Sequence, residues 1–466
     1  MVTYDLTKAK GPVYQYLYRC IRDDIKKGIL KPGEKLPSKR ALAKNLGVSV
    51  ITVENSYGQL MDEGYIEAVE KSGYYVSKMS PLAYSKEWEE RANPVVTIEL
   101  PQKEEVVFDF SSNRTEEKNF PFSVWAKLMR ETISTREKEL LEVSPCGGVD
   151  ALRSAIAEHL SSFRGMEVAK EQIIVGAGTE YLYGLLIQLL SSNATYCLEN
   201  PGYQKIRQVY ESNGAICHLA NMDEMGILVE EVRKSRCNVC HISPTHHFPT
   251  GITMPLKRRL ELLSWAKEEE NRYIIEDDYD SEFRLNGKPL PTLFGIDHRE
   301  KVIYMNTFSK SLTSTIRISY MVLPKHLVEE FYRKLSFYSC TISTFEQYTL
   351  AAFIHGGAFE KHINRMRLHY VRKRSEVLAH IRAKFSEEEC KIIERDSGLH
   401  FILELRTKKK DAEIENLLKK EKITLRAVTD YDMSGRKKNL HQFICNYSNV
   451  DVEGLDAALE VLKKVL

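Results

Sequence analysis

Apolar residues in the first eighty positions fall at helical spacing three times and at strand spacing twice. Val13, Leu17, Ile21 and Ile25 recur every four between Gly11-Pro12 and Ile29. That spacing predicts one helix with a single buried stripe, ended by Lys31-Pro-Gly. A second helix follows Leu36-Pro37-Ser38, with Ser38 as N-cap and Leu42 and Leu46 facing inward. Gly47-Val48 predicts a tight turn, and Ser49 caps a third helix that runs to about Glu63 and is ended by Gly64. Residues 65–69 and 73–76 read as two short strands paired around Lys71-Ser72. Three helices and a hairpin, with the last two helices joined by a short glycine turn, make a winged helix-turn-helix.

Residues 79–105 lose this periodicity, are polar and carry Pro81, Pro94 and Pro101, so they read as a linker. From Val106 onward, strand-like apolar runs at 172–175, 194–198, 238–242, 273–276 and 302–305 alternate with amphipathic helical stretches. Such alternation predicts an α/β sheet covered on both faces. The last hundred or so residues alternate long helices with strands at 399–405 and 441–446, as a smaller α+β domain does. The expected organisation is therefore a head at 1–78, a linker at 79–105 and a body at 106–466. Within the body, the large part spans about 140–335, and the small part combines 106–139 with 336–466. No internal repeat or low-complexity tract interrupts it.

A length of 466 residues suits two or three domains, and 43% hydrophobic with 28% charged residues describes an ordinary globular protein. No apolar run reaches the roughly 18 residues of a membrane span. The opening MVTYDLTKAKGPVYQYLYR lacks the apolar core of a signal peptide. Nine cysteines at scattered spacing do not form a disulfide framework, so a cytoplasmic location is expected. Charge adds one point. The formal net charge is +2, but residues 1–78 hold 13 Lys/Arg against 9 Asp/Glu, a net of +4, leaving −2 for the rest. The basic excess sits on the head, as a nucleic-acid contact requires.

Lys39, Arg40 and Lys44 surround the entry of the second helix, where phosphates lie in such folds. Ser49, Thr52 and Asn55 sit early on the third, where side chains enter the major groove. Lys71 at the wing tip is a candidate for a minor-groove or phosphate contact. The run Ile29-Leu-Lys-Pro-Gly-Glu-Lys-Leu-Pro-Ser-Lys-Arg-Ala-Leu-Ala, the turn Leu46-Gly-Val-Ser, the Thr52-Val53 pair and Glu63-Gly-Tyr-Ile before a Ser-Gly wing resemble the GntR family of regulators. The resemblance implies operator DNA as a partner. One departure is Val50, which stands where the family often carries an Arg that reads guanine, so no base preference follows.

A second constellation lies downstream. Lys310 follows Thr307-Phe-Ser309 at the end of an apolar run, with Arg317 seven residues on. A lysine amine condenses with an aldehyde while hydroxyls and a guanidinium hold a phosphate, the arrangement that binds pyridoxal 5'-phosphate (PLP). Upstream, Val175-Gly-Ala-Gly178-Thr179-Glu180 follows a strand and opens a helix, where small residues let backbone N–H groups approach a phosphate. Glu199-Asn-Pro-Gly-Tyr203 sets an aromatic past a strand end, and Ile275-Glu-Asp277-Asp278-Tyr279-Asp280 ends another strand in carboxylates. Acid clusters at strand ends are otherwise metal sites or solvated loops, but no His/Cys partner stands at ligand spacing. Cys237-Asn-Val-Cys240-His241 matches a haem-attachment pattern on paper. It lies on an apolar run and reads as core cysteines.

In this order the motifs resemble fold-type I aminotransferases, and specifically the MocR subfamily, in which a GntR-type head is fused to an aminotransferase-like body. The resemblance implies PLP held by Lys310 as an internal aldimine and Tyr203 against the pyridine ring. It implies Asp277 on the pyridine nitrogen and Tyr279 toward the ring oxygen. Gly178, Thr179, Thr307, Ser309 and Arg317 then surround the phosphate. Ser243-Pro-Thr-His-His-Phe-Pro-Thr-Gly251 is similar to a family loop, with His247 in place of Gln, and Glu180 replaces a frequent Gln. His246 and His247 are candidates either for approaching the cofactor or for turn hydrogen bonds. A head-to-tail homodimer is also implied.

Two functions fit this constellation. One is a DNA-binding transcriptional regulator that senses an amine, an amino acid or PLP itself; the other is a working aminotransferase with an accessory head. The discriminating residue is the substrate-carboxylate arginine that aminotransferases place on a small-domain strand. The corresponding stretch, Gln442-Phe-Ile-Cys-Asn-Tyr-Ser448, has no Arg, which favours the regulator. Lys205, Arg207, Arg426 and Arg436 are the possible substitutes.

Overall fold

The computed structural model describes residues 3–78, 105–111, 119–191, 193–284, 290–394, 398–435 and 439–466. The expected linker at 79–105 falls outside them except for residue 105. The chain divides into two units, Met1–Lys103 and Glu104–Leu466.

In the first unit the helix Val13–Lys26 buries Leu17, Tyr18, Ile21 and Ile25. Val13, expected in that stripe, begins the helix and is 36% exposed. Lys39–Leu46 is capped by Ser38, whose hydroxyl accepts from Ala41 N at 3.3 Å, and it closes on Gly47 at φ 66°, a left-handed conformation that glycine adopts freely. Val50–Asp62 is capped by Ser49, which accepts from Thr52 N at 3.1 Å. Two long-range bonds hold this helix: Ser56 donates to Tyr14 O at 2.8 Å and Tyr57 to Pro37 O at 2.9 Å. Ile66–Val69 and Gly73–Val76 pair antiparallel as the wing, with Lys71 at φ 59° in the turn. A third strand, Lys35–Leu36, adds to Gly73–Val76 and was not anticipated, because two residues carry no periodicity.

The second unit is built on an eight-stranded sheet in the order Ile173–Gly176, Ser319–Val322, Val302–Thr307, Tyr273–Asp277, Val239–Ile242, Thr195–Asn200, Ile216–Asp223, Gly226–Ile227. Its five central strands, from Val302–Thr307 to Ile216–Asp223, are mutually parallel. Neighbouring residues on these strands join opposite cores. Ile275, Ile303 and Leu198 pack in the cluster with Leu186 and Phe331, while Ile274, Val302 and Cys197 pack with Leu262 and Trp265. The strands are buried on both faces, which is why each reads as an apolar run. Cys237 and Cys240 lie in the second cluster, as core residues.

A smaller antiparallel sheet follows, Cys390–Ile393, His400–Leu405, Gln442–Asn446 and Arg426–Ala427, with the helices Ala358–Lys384, Asp411–Lys420 and Val452–Val465. Phe108–Asp109 pairs with Ile423–Thr424, tying the start of this unit to its C-terminal part. The class is therefore α/β: a winged helix-turn-helix, a large mixed sheet and a smaller α+β part. Among the described residues, no helix is long and apolar enough to cross a membrane.

The strand Tyr273–Asp277 ends in a buried ion pair between Arg164, the last residue of the helix Asp150–Arg164, and Asp278; the side chains are 1% and 0% exposed. Tyr304 also donates to Asp278 at 2.7 Å. Removing one partner of a buried pair leaves a charge without compensation. Arg164→Leu should cost about 3–5 kcal/mol in urea unfolding of the full chain. The double variant Arg164→Leu/Asp278→Asn should recover part of that loss.

Candidate functional site

Four of the five parallel strands end at Asn200, Ile242, Asp277 and Thr307, on one edge of the large sheet. Ile173–Gly176 ends at that edge too, and Ser319, just after Arg317, pairs with both Gly176 and Thr307. Motifs lying more than a hundred residues apart in sequence thus converge where α/β sheets bind ligands. A cavity of about 410 Å³ opens there. Thr179, Tyr203, Asp277, Tyr279, Thr307, Ser309, Lys310 and Arg317 all line it. Gly178 stands just behind: a Cβ there would lie 2.9 Å from the Arg317 Cζ.

Three consecutive carboxylates stand at the end of the strand Tyr273–Asp277, and Asp277 alone of the three lines the cavity. Strand alternation sends Glu276 and Asp278 to one face and Asp277 to the other. Glu276 accepts the Leu293 and Phe294 N–H groups at 2.9 Å each, with Arg259 at 3.9 Å. Asp278 has Arg164. Asp277, 6% exposed, has no such cation: Oδ2 accepts from the Tyr183 hydroxyl at 2.6 Å and lies 3.5 Å from His241 Nε2, which Tyr210 meets at Nδ1 from 2.8 Å. Asp277 Oδ1, like Asp278 Oδ1, is buried with no hydrogen-bond partner among the described residues, and of the two only Asp277 lines the cavity. A buried carboxylate oxygen in that state calls for a donor, and a protonated pyridine nitrogen is one. Burial, with Asp277 adding to it, drives the Tyr183 hydroxyl far above its ordinary range, so it stays a donor.

Lys310 forms no hydrogen bond or ion pair among the described residues. Burial pulls its amine below the ordinary lysine range, with Asp280 opposing the shift, which favours the uncharged nucleophile. Asp280 Oδ2 meets His246 Nδ1 at 2.8 Å, and the Tyr279 hydroxyl is 3.3 Å from the same nitrogen. His246 thus bonds two residues of the cavity wall, and His247, which lines the cavity itself, is held by Thr250 at 2.8 Å and lies 3.5 Å from Glu199 Oε2. Burial pushes His247 down to about 3 and Glu199 up to about 8, so both are neutral at pH 7. Tyr203 is 49% exposed and stacks edge-on to Phe248 at 6.0 Å.

At the other end, Thr179–Leu190 begins at Gly178, φ 90°, with no side-chain cap, leaving its first N–H groups for a ligand. Thr307 accepts from Ser309 N at 3.1 Å and Ser319 Oγ at 2.8 Å, and Ser309 Oγ donates to Ile316 O at 3.3 Å. Arg317 Nη2 lies 3.1 Å from Glu180 Oε2, and Lys205 pairs with Glu180 Oε1. Three of the four proposed substitutes for the missing carboxylate arginine are engaged. Lys205 lines the cavity but holds Glu180. Arg207 binds Glu211 at 2.7 Å, and Arg426 lies 3.6 Å from Asp430. Arg436 lies outside the described residues.

In the head, Arg40, Lys44, Asn55 and Lys71 are exposed. Lys39 is half-buried, 2.5 Å from Glu54 and 5.7 Å from the Tyr74 ring centroid. Ser49 and Thr52 bond each other at 2.8 Å. Val50 and Ile51 are exposed at the start of the third helix.

Fold and site together define a regulator type, a DNA-binding head joined to an aminotransferase-like body. Residues 13–76 match the family described as bacterial regulatory proteins, gntR family, and residues 104–462 match aminotransferase class I and II. The chain is 38% identical over 84% of both chains to YdeL of Bacillus subtilis, an uncharacterized HTH-type transcriptional regulator. It is 32% identical to the probable rhizopine catabolism regulatory protein MocR of Rhizobium meliloti, covering 84% of this chain and 82% of that one. It is 31% identical to the pyridoxine biosynthesis regulator PdxR of Corynebacterium glutamicum over 76% of each. The second unit shares the fold of Pyrococcus horikoshii kynurenine aminotransferase, with a TM-score of 0.68 and 22% identity over 78% of this chain and 92% of that one. The chain belongs to the MocR-type GntR family of DNA-binding transcriptional regulators.

Glu199 supplies a pH test. Its folded-state pKa is raised, so the folded protein binds the extra proton between about pH 4.5 and 8, and stability falls as pH rises through that window. Glu199→Gln removes the titration. It should stabilise the chain by about 2–4 kcal/mol more at pH 8 than at pH 5, read from chemical denaturation at the two pH values.

Proposed function

We propose that this regulator binds operator DNA through residues 1–78 and PLP in the cavity of its body, residues 106–466. An amine, an amino acid or PLP itself then sets DNA binding through the Schiff base at Lys310. The observation that carries the reading is Lys310, a half-buried lysine with no hydrogen bond or ion pair among the described residues, in one cavity with Asp277 and the N-terminus of the helix Thr179–Leu190. When bound, PLP supplies an aldehyde for amine exchange and a ring that accepts electrons.

The chain's own residues carry the rest. Asp277 Oδ1 accepts from the ring nitrogen, and Tyr183 and His241 hold its other oxygen. Tyr203 covers a ring face, and Tyr279 reaches toward the ring oxygen. Gly178, Thr179, Thr307, Ser309 and Arg317 take the phosphate. In the head, Arg40 and Lys71 are free for phosphates and Asn55 for a base edge. Lys39, Ser49 and Thr52 reach DNA only by leaving the internal contacts given above. Membership of a bacterial regulator family supports action in the cytoplasm on double-stranded DNA, as a head-to-tail homodimer reading paired half-sites. The engagement of Lys205, Arg207 and Arg426 weighs against efficient amino-acid transamination.

Purified protein with PLP should show a visible absorbance band that Lys310→Ala abolishes; a colourless reconstituted wild type sinks the cofactor assignment. Removing residues 1–80 should abolish a shift of the chain's own upstream intergenic DNA while the band persists.

A further inference from the structure

Glu180 is the second residue of the helix Thr179–Leu190 and lines the cavity. Its two oxygens face two different cations, Lys205 and Arg317. Those cations are the positive side chains at the uncapped helix end. An acidic residue in the first turn of a helix also has the dipole in its favour. Lys205 first, then Arg317, hold it below the usual carboxylate range, so it is ionised throughout the neutral range.

We propose that Glu180 is a resident carboxylate that competes with the cofactor phosphate for Arg317 and Lys205, and thereby sets how loosely the site retains PLP. This rests on the reading that PLP occupies the cavity. The charges are simple: Arg317 and Lys205 contribute +2 and Glu180 −1, leaving +1 for a phosphate of about −1.5 to −2. With a neutral residue at 180 the cradle offers +2. Glu180, Lys205 and Arg317 are 38%, 49% and 48% exposed, and ion pairs that open add little to stability. The trio therefore acts chiefly on an arriving anion. The rival role, in which Glu180 aims Arg317 at the phosphate, predicts the opposite sign on removal.

The test uses the full chain with Glu180→Gln, which keeps shape and removes charge, and Lys205→Met. PLP is titrated against the visible band, and inorganic phosphate alone is titrated by thermal shift. Glu180→Gln should bind PLP about tenfold tighter and respond to phosphate at lower concentration, and Lys205→Met should do the reverse. Unchanged or weaker binding of both anions by Glu180→Gln overturns the proposal. A wild type that forms no band defeats the cofactor reading instead, and the phosphate titration still decides the role of Glu180.

Discussion

Three adjacent carboxylates are buried at the end of one strand, and the second unit is arranged around satisfying them. Glu276 and Asp278 face one side, where Arg259 and Arg164 stand, and Asp277 faces the other, where no arginine pairs with it among the described residues. Leaving even one such charge uncompensated costs several kcal/mol. The helix ending at Arg164, the 293–296 helix whose N–H groups cap Glu276, and Tyr304 on the next strand are therefore fixed relative to the strand end. The asymmetry has a functional consequence. On the Asp277 side, a tyrosine and a histidine stand 2.6 and 3.5 Å away among the described residues, and this carboxylate alone of the three opens onto the cavity.

Parallel register then does the positioning. Because Asp277 pairs with Met305, the strand leading to Lys310 runs on past the carboxylate through Asn306 and Thr307. Ser319, paired with Thr307 and Gly176, brings Arg317 beside Gly178. The cavity thus brings a carboxylate, the Lys310 amine and a cation beside a helix N-terminus into one lining. The rigid edge, rather than the loops, sets these separations, so a small shift of register would break the site as a whole.

What could be read along the chain follows from range. Ser38, Ser49 and Gly47 act on N–H groups within three or four residues, and the apolar strands are buried on both faces, so both leave local signatures. The linear site motifs were legible for the same reason: Asp277, Thr307, Lys310 and Arg317 each sit where a strand ends or begins. Arg164 could not be found that way. It is 114 residues from Asp278 and looks like any basic helix end. Tyr183 and His241 were equally hidden. The first is one helical turn past Thr179, and the second alternates with the core cysteine Cys240 so as to face Asp277. The strand Lys35–Leu36 and the exposure of Val13 show the other limit, since ends and short edges depend on what packs beside them.

The small-part strand Gln442–Asn446 bears on what the cavity recognises. Where an arginine would clamp a carboxylate, Ile444 packs with Ile402 and Val428 against Phe248 and Tyr431, whose rings meet edge-on at 4.9 Å. Phe248 and Tyr431 line the cavity with His400. A ligand entering past this wall meets aromatic surface rather than a bidentate donor. The strand Gln442–Asn446 carries no arginine for a carboxylate, and its Asn446 lines the cavity instead. A catalyst needs that anchor to hold its substrate through each turnover. A sensor needs only that two occupants of the site differ in the free energy with which they favour the DNA-binding state.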